Sequence, residues 1–364
     1  MAGLPASGEI KKIAMKKIAH PQVITLVNMN VWFGLDCRGI VKFGEYESGQ
    51  TRAARFTNLI KGLIDLQPDV IGIQEANPLP GYVKNLSDAL GCDAIWNTTN
   101  SGIKLLGFGI PTNFTAGNAI LAKKGWGLKY LGCRRLSGTG VQTNYFSMNF
   151  RELRDVIAAR VTIGGHSLIV FNTQTHFGVI WNKAWQKRLT TMIENFRLPP
   201  EATENLMESI RHSNRRRRQE ILRLIDFVKE TTEKYNLPYV IMGDFNATVE
   251  SPEMVKLFKA LDLVDTYAVK HPDKAGYTWD PANNPNTGYD ASPFWANGIT
   301  PRDPLNQLEA QFDRNMARRI DYIFLSYQFD PDMIKKADLI FTQPIQGLLT
   351  SDHFGLQVVL TGLP

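Results

Sequence analysis

"YVIMGDFNAT", Tyr239–Thr248, opens with four apolar residues and then breaks at Gly243 into an acid and an amide, Asp244 and Asn246. The apolar run is of the kind that fills a buried strand. The polar pair at its end calls for a reason, because ionised carboxylates are rarely buried without partners. The same form recurs along the chain. "VITLVNMNVW" (Val23–Trp32) carries Asn30 near its end, and "DVIGIQEA" (Asp69–Ala76) closes on Gln74-Glu75. "RDVIAARVTIGGHSLIVFNTQTHF" reads as two strands around Gly164-Gly165, the second ending at Thr175-His176. "RIDYIFLS" (Arg319–Ser326) has Asp321 at its start, and "SDHFGLQVVLTGL" sets Asp352-His353 just ahead of the last strand.

Between these runs lie helices and further strands. Phe56, Leu59, Ile60, Leu63, Ile64 and Leu66 recur at helical spacing, with Pro68 marking the exit. "RRRRQEILRLIDFVKETTEKY" (Arg215–Tyr235) predicts a helix with a basic start and an apolar stripe at Ile221, Leu224, Ile225 and Val228. "AGNAILAKK" and "ADLIFTQ" are strand candidates. Strands joined by both hairpins and crossovers, with a few helices, predict two packed sheets with outer helices rather than a regular βαβ array. No fixed-period repeat and no linker divides the chain. Residues 23–364 are therefore expected to form one domain after a basic tail at 1–22, with an interruption at 178–214 and a long loop at 271–318.

Composition sets the outer limits. The 364 residues are 43% hydrophobic, enough for a sizeable core. A formal charge of +6 favours anionic partners such as nucleic acid, phosphorylated lipid or a membrane surface. Cys37, Cys92 and Cys133 show no CxxC spacing, so zinc ribbons and thioredoxin chemistry are not supported and small buried thiols are expected. There is no continuous apolar h-region and no transmembrane-length stretch. The expected setting is cytoplasmic, with a mature secreted form as the alternative, and a monomer is expected. Arg215–Arg218 could meet anionic lipid or nucleic-acid phosphate, or simply be a solvated helix start opposing the helix dipole.

Taken singly, each polar strand end has a plain explanation. Asn30 could cap a turn, Glu75 or Asp244 could cap a helix, and His176 could be a hydrogen-bonded core histidine. Taken together, Asn, Glu and Asp at one point would supply hard oxygen ligands for Mg²⁺. Two histidines beside them suit proton transfer near neutral pH. Neither a GxSxG elbow nor a GxxxxGK[ST] loop is present. The residue types point to metal-assisted hydrolysis of a phosphate ester.

In this order, "NMNVW", "DVIGIQEA", "NTQTHF", "IMGDFNAT", "RIDYIFLS" and "TSDHFGLQVVL" resemble the endonuclease/exonuclease/phosphatase superfamily across roughly residues 23–360. The resemblance implies a four-layered α/β sandwich, two central mixed β-sheets flanked by helices, acting on phosphate esters with Mg²⁺ (Mn²⁺ as a substitute). It implies metal binding at Asn30, Glu75 and Asp352, with Glu75 the principal ligand. His353 matches the general base and Asp321 its orienting partner. Asp244 and Asn246 hold the attacking water and a phosphate oxygen, and His176 donates to the phosphoryl oxygens or the leaving group. Family members use the counterpart of either Asp244 or His353 as base, and both stay open here.

Local features resemble the sphingomyelinase branch: "YTWDPANNP" (Tyr277–Pro285), "GNAILAKK", the close "SDHFGLQVVL", and Arg216 and Gln219 in an R-x-x-Q pattern. That branch's aromatic hairpin before Ser-Asp-His is replaced by a short "TQPIQGLL", with Phe294-Trp295 or Trp181/Trp185 as substitutes for a membrane-facing patch or as packing under a loop. The implied function is a sphingomyelinase-like phospholipase C, with peripheral contact to an anionic membrane surface. The alternatives are a DNA or RNA nuclease, which calls for a broad basic groove, and an inositol-phosphatase-like phosphomonoesterase. A catalytically dead module on the same fold would normally have lost some of these residues.

Overall fold

The computed structural model describes residues 23–37, 39–143, 145–178, 183–196, 200–288 and 316–364. Strands and helices are numbered in chain order. The first sheet runs β15 (Ile334–Ile340), β16 (Gly355–Thr361), β1 (Val23–Asn30), β2 (Val70–Ala76), β6 (Ala116–Lys123), β3 (Cys92–Asn100). The second runs β13 (Leu263–Asp265), β14 (Asp321–Ser326), β12 (Tyr239–Asp244), β11 (His166–Gln174), β10 (Arg154–Ile163), β7 (Lys129–Ser137). Each sheet is mixed. β1 and β2 pair in parallel, as do β11 and β12, and their neighbours are antiparallel.

The period-2 alternation of the strands builds the layers. In β1, Ile24 and Leu26 face the second sheet, while Val27 and Met29 face helix α1 (Gly49–Leu66) and helix α2 (Gly81–Leu90) through Leu59, Leu63, Val83 and Leu86. In β12, Val240 and Met242 face the first sheet, and Tyr239 and Ile241 face the outer helices through Ile221, Leu224, Met254 and Leu257. The central core between the sheets and the two cores beneath the helices make four layers, α/β/β/α. This is the predicted sandwich.

The same alternation explains the opening stretch. After Met242 the next residue on the inter-sheet face is Asp244, and after Leu26 come Asn28 and Asn30. Below that level the space between the sheets is apolar. At this end it becomes polar. A buried amide seam marks the boundary: Gln74 donates to Asn28 (2.8 Å) and Asn172 (2.6 Å), and Asn172 donates to the Ile73 and Ala119 carbonyls, both at 2.8 Å. Each amide nitrogen of the seam donates, Asn28 to the Gly243 carbonyl at 3.3 Å, and these bonds fix how the sheets meet; Gln74 Oε1 is buried without a partner among the described residues.

Several expectations change. The helix expected at Arg215–Tyr235 is the second half of α4 (Pro200–Tyr235), and α3 (Lys183–Phe196) precedes it, so much of the expected interruption is helical. Arg215–Arg218 therefore lies mid-helix and not against a positive dipole end. Arg217 is fully buried and ion-paired to Glu253 of α5 (Pro252–Leu261) at 2.7 Å, and Arg216 is paired to Glu220 at 3.1 Å. Two of these four arginines thus serve the fold rather than an external anion. The "ADLIFTQ" strand begins earlier, at Ile334.

A third sheet was not foreseen. It has the order β5 (Phe108–Ile110), β4 (Ile103–Leu105), β9 (Phe146–Asn149), β8 (Gly140–Gln142). Its strands are three or four residues long, too short to show a period. Residues 1–22, Trp181, Phe294-Trp295 and the side chain of Trp185 lie outside the described residues. Among the described residues no helix is long and apolar enough to cross a membrane.

Candidate active site

At the polar end of the two sheets a cavity of about 690 Å³ opens, lined among others by Glu75, His176, Asp244, Asn246, Asp352 and His353. Six of the eight residues expected from the sequence thus face one space. The other two, Asn30 and Asp321, stand behind it. Asn30 Nδ2 donates to Glu75 Oε1 (3.0 Å) and Asp244 Oδ2 (3.1 Å), and Asp321 Oδ2 meets His353 Nδ1 at 2.8 Å.

Glu75 reaches the cavity by breaking the rule of its strand. Ile71 and Ile73 of β2 face the helices, so regular alternation would turn Glu75 there as well. Instead it adopts φ 61°, at a register break between Ile73 and Ala76. A left-handed conformation at a non-glycine residue costs on the order of 1–3 kcal/mol and persists only where the surroundings hold it. Here Gln174 and Asn30 donate to Oε1, at 2.6 and 3.0 Å, and the Phe33 amide donates to Oε2 at 3.2 Å.

Asp244 is buried and receives Gln174 (3.2 Å), Asn30 (3.1 Å) and Asn246 (3.0 Å) on Oδ2, and the Asn246 amide on Oδ1 at 2.9 Å. Burial and the neighbouring Asp321 carboxylate push its pKa up, against the pull of His353. Asn246 stands at φ 47° and also donates to the Thr175 carbonyl at 3.1 Å. Its amide is thereby fixed between β11 and β12.

Asn30 has its orientation decided by its neighbours. Its oxygen accepts the Trp32 amide at 3.0 Å, which leaves the nitrogen toward the two carboxylates. It bridges Glu75 and Asp244 as a donor, where an oxygen ligand was expected.

The His353 side is built from three segments. Burial alone would favour the neutral ring, but Asp321, with Asp352 and Asp244 beyond it, holds the imidazole pKa well above its usual value. Trp279 packs its ring edge-on to His353, centroids 5.1 Å apart. Thr278 before it accepts the Ile320 and Asp321 amides, both at 3.1 Å. The segment singled out as "YTWDPANNP" thus buttresses the histidine. Ser351 donates to the Asn30 carbonyl (2.7 Å) and to Asp352 Oδ1 (3.1 Å), tying the Ser-Asp-His turn to β1.

His176 occupies another part of the wall. Its Nδ1 pairs with Glu152 at 3.2 Å and Nε2 lies 3.4 Å from Ser213 Oγ. Burial moves this imidazole down, only partly opposed by Glu152. Burial would raise Glu152 itself, but Arg154, His176 and Arg216 outweigh it and hold it at about 2. The backbone of His176 is gripped by α4: Glu220 accepts its amide at 2.6 Å and Arg217 donates to its carbonyl at 3.5 Å.

Glu152 and Gln174 were not foreseen. Gln174 was legible, since it follows Asn172 on the inter-sheet face of β11. Glu152 lies outside any strand and no pattern marks it.

The donor set fits a hard divalent cation. Half-buried Glu75 and buried Asp244 and Asp352 line one cavity with hard carboxylate oxygens, which are costly to bury without compensating charge. Asp244, Asp321 and His353 also come within 4.8 Å of one another. The Asp321–His353 bond already occupies that pair, so it serves proton transfer better than ligation.

The order of motifs and their meeting point decide the affiliation. A family profile, described as Endonuclease/Exonuclease/phosphatase family, matches residues 27–353. The chain belongs to this family. Endonuclease/exonuclease/phosphatase proteins are phosphoester hydrolases, and so is this protein. Its fold is similar to that of D. rerio TDP2, solved with a single-strand DNA product: 17% identity, TM-score 0.53, 93% of this chain and 98% of that one covered. It is similar to the human Nocturnin catalytic domain with a bound sulfate anion, at 13% identity and TM-score 0.54, covering 93% of both chains. A mannosyl-6-phosphatase of Bacteroides thetaiotaomicron matches at 16% identity and TM-score 0.52, covering 92% of this chain and 98% of that one. These likenesses carry the fold, and the sphingomyelinase branch is not among them. No curated protein matches the chain in sequence.

Proposed function

We propose that the protein is a divalent-cation-dependent phosphodiesterase that releases the phosphorylated head group of a lipid, in the manner of a sphingomyelinase-like phospholipase C. The observation that carries this reading is the two-part cavity. Around the carboxylates it is acidic: Asp36, Glu75, Glu152, Asp244 and Asp352 against Arg151, Arg154 and Arg318 among its described lining residues. Its remaining wall is aromatic, with Trp32, Phe33, Phe43, Tyr46, Phe114 and Phe150. A nuclease calls for a run of cations along a polyanion. A cavity with one catalytic end and an apolar wall suits a single phosphodiester with an apolar part.

In the proposed mechanism Glu75 and Asp352 would hold a divalent cation, with Asp244 beside them. The cation, when bound, neutralises the phosphoryl oxygens and weakens proton binding by the surrounding carboxylates and imidazole. His353, its Nδ1 fixed on Asp321, offers Nε2 to the attacking water as general base. Asp244 accepts a hydrogen bond from the same water, and Asn246 donates to a phosphoryl oxygen by releasing one Nδ2 hydrogen from the Thr175 carbonyl. Asn30 and Gln174 keep the Glu75 and Asp244 carboxylates in place. His176 keeps Nδ1–H on Glu152, so Nε2 must first take a proton from solvent. The imidazolium then turns Nε2–H from Ser213 to the departing oxygen and protonates it, and burial makes it the stronger acid.

The test is a substrate panel with Mg²⁺: sphingomyelin in detergent, lysophospholipid, single-stranded and abasic DNA, and an inositol phosphate. Release of phosphocholine, stopped by EDTA, is the expected result. DNA nicking with no lipid turnover would overturn the lipid assignment.

A further inference from the structure

The third sheet is turned inside out for a protein in water. Antiparallel sheets with one wet face normally place polar residues outward. Here the cross-strand pairs Ile103–Ile110 and Leu105–Phe108 lie on one face of the β4–β5 hairpin, and all four side chains are exposed, Phe108 by 85%. Polar side chains take the other face. Ser147, directly opposite Lys104, is buried and donates to the Gly102 carbonyl at 3.4 Å. The turn adds Leu106, 68% exposed.

Two flanking stretches extend the surface. Residues 39–43 join through the Val41 carbonyl, which accepts the Thr112 amide at 2.7 Å, and Tyr145 joins through its carbonyl on the Leu106 amide at 2.7 Å. Segments 39–43, 101–112 and 139–151 hold ten of the nineteen large hydrophobic side chains exposed among the described residues. Scattered exposed apolar residues need no explanation, but a concentration of them marks an interaction surface.

We propose that this face docks the enzyme on a lipid bilayer, with the β4–β5 hairpin entering the interface. The inference extends the lipid reading of the cavity and rests on it for its biological sense. Charge allows this occupant. The three segments contain not one acidic residue, so nothing of their own repels anionic head groups. Of their cations, Lys42 meets Glu45 at 3.9 Å, Arg151 lines the cavity and Lys104 lies on the polar face of the sheet. Position supports the same occupant. Phe43 and Phe150 belong both to these segments and to the cavity lining, and Phe43 packs on Phe114 of the cavity wall at 5.1 Å. A lipid in the docked leaflet would meet Phe43, Phe114 and Phe150 between the bilayer and the carboxylates.

The experiment uses the full chain in EDTA, so that nothing turns over, with sucrose-loaded vesicles of phosphatidylcholine and phosphatidylserine. The wild type should sediment with the vesicles. The double variant Leu105→Ser/Phe108→Ser should lose at least about tenfold in partitioning, given the apolar area withdrawn. Both proteins should hydrolyse soluble bis(p-nitrophenyl) phosphate equally, which shows that the variant is folded. Equal sedimentation of the two would overturn the proposal. So would a concentration-dependent dimer of the wild type that the double variant abolishes, with no vesicle binding. If the wild type binds vesicles and the variant does not, yet no lipid is cleaved under any condition, docking stands and the substrate assignment falls.

Discussion

Two histidines face the same cavity, each with its Nδ1 on a carboxylate, yet they are pushed in opposite directions. His353 meets Asp321 at 2.8 Å and is held toward the protonated form, with Asp352 and Asp244 adding to the effect. His176 meets Glu152 at 3.2 Å and is held toward the neutral form. Both rings are largely buried, and burial disfavours the charge on either. The difference lies in what surrounds the carboxylate. Asp321 sits among other acids, so its imidazole is the available cation. Glu152 stands with Arg154 and Arg216, whose charges add to burial against a proton on His176. A shared motif therefore does not fix a charge state: His353 must give up its proton before it can act as base, and His176 must take one before it can act as acid.

Removing either ring tests this division, and the largest loss is expected on the His353 side. His353→Ala should lower kcat by about 1000-fold or more with an unchanged circular dichroism spectrum, since a general base and its orienting acid are lost together. His176→Ala should cost on the order of 100-fold on a substrate with a poor leaving group, and much less on a p-nitrophenyl ester whose leaving group needs no proton. Equal losses on both esters would deny His176 the acid role.

A subtler variant sharpens the contrast. Glu152→Gln should leave His176 neutral and lower kcat by about tenfold, through loss of ring orientation rather than of the ring. The same variant reads out on stability. Glu152 is held at about 2 in the folded protein against an ordinary value of 4.5. A depressed folded value contributes stability above pH 4.5 that is lost as pH falls toward 2. The wild type should exceed Glu152→Gln by on the order of 1–2 kcal/mol near pH 6, after allowance for solvent screening, and the gap should close toward pH 2 in urea melts. Smallest in energy is the titration itself. In metal-free protein, ring-labelled NMR should show His353 titrating above free histidine and His176 below it.

The sequence was legible where one periodic rule governs. Alternation in β1, β2, β11, β12 and β14 predicts both the sandwich and the row of polar residues at its end, because a residue two places beyond a core residue faces the same way. It is silent where that rule is broken. Glu75 reaches the site only through a left-handed backbone that alternation does not foresee. Glu152 owes its place to Arg154 and Arg216, which are close in space rather than in pattern. The third sheet is made of strands too short to carry a period, and its apolar face runs against the rule for wet sheets. The arginine run misled for a similar reason: four consecutive cations look like a surface patch, but helix geometry turns Arg217 inward to Glu253.

The measurement closest to the central claim is turnover of bis(p-nitrophenyl) phosphate by the wild type and Glu75→Ala, each with Mg²⁺ and with EDTA. The account predicts turnover by the wild type with Mg²⁺ alone, and none above background by a folded Glu75→Ala protein under either condition. Turnover that survives EDTA, or a Glu75→Ala variant as active as the wild type, would contradict a cation-assisted phosphodiesterase centre at the ends of these two sheets.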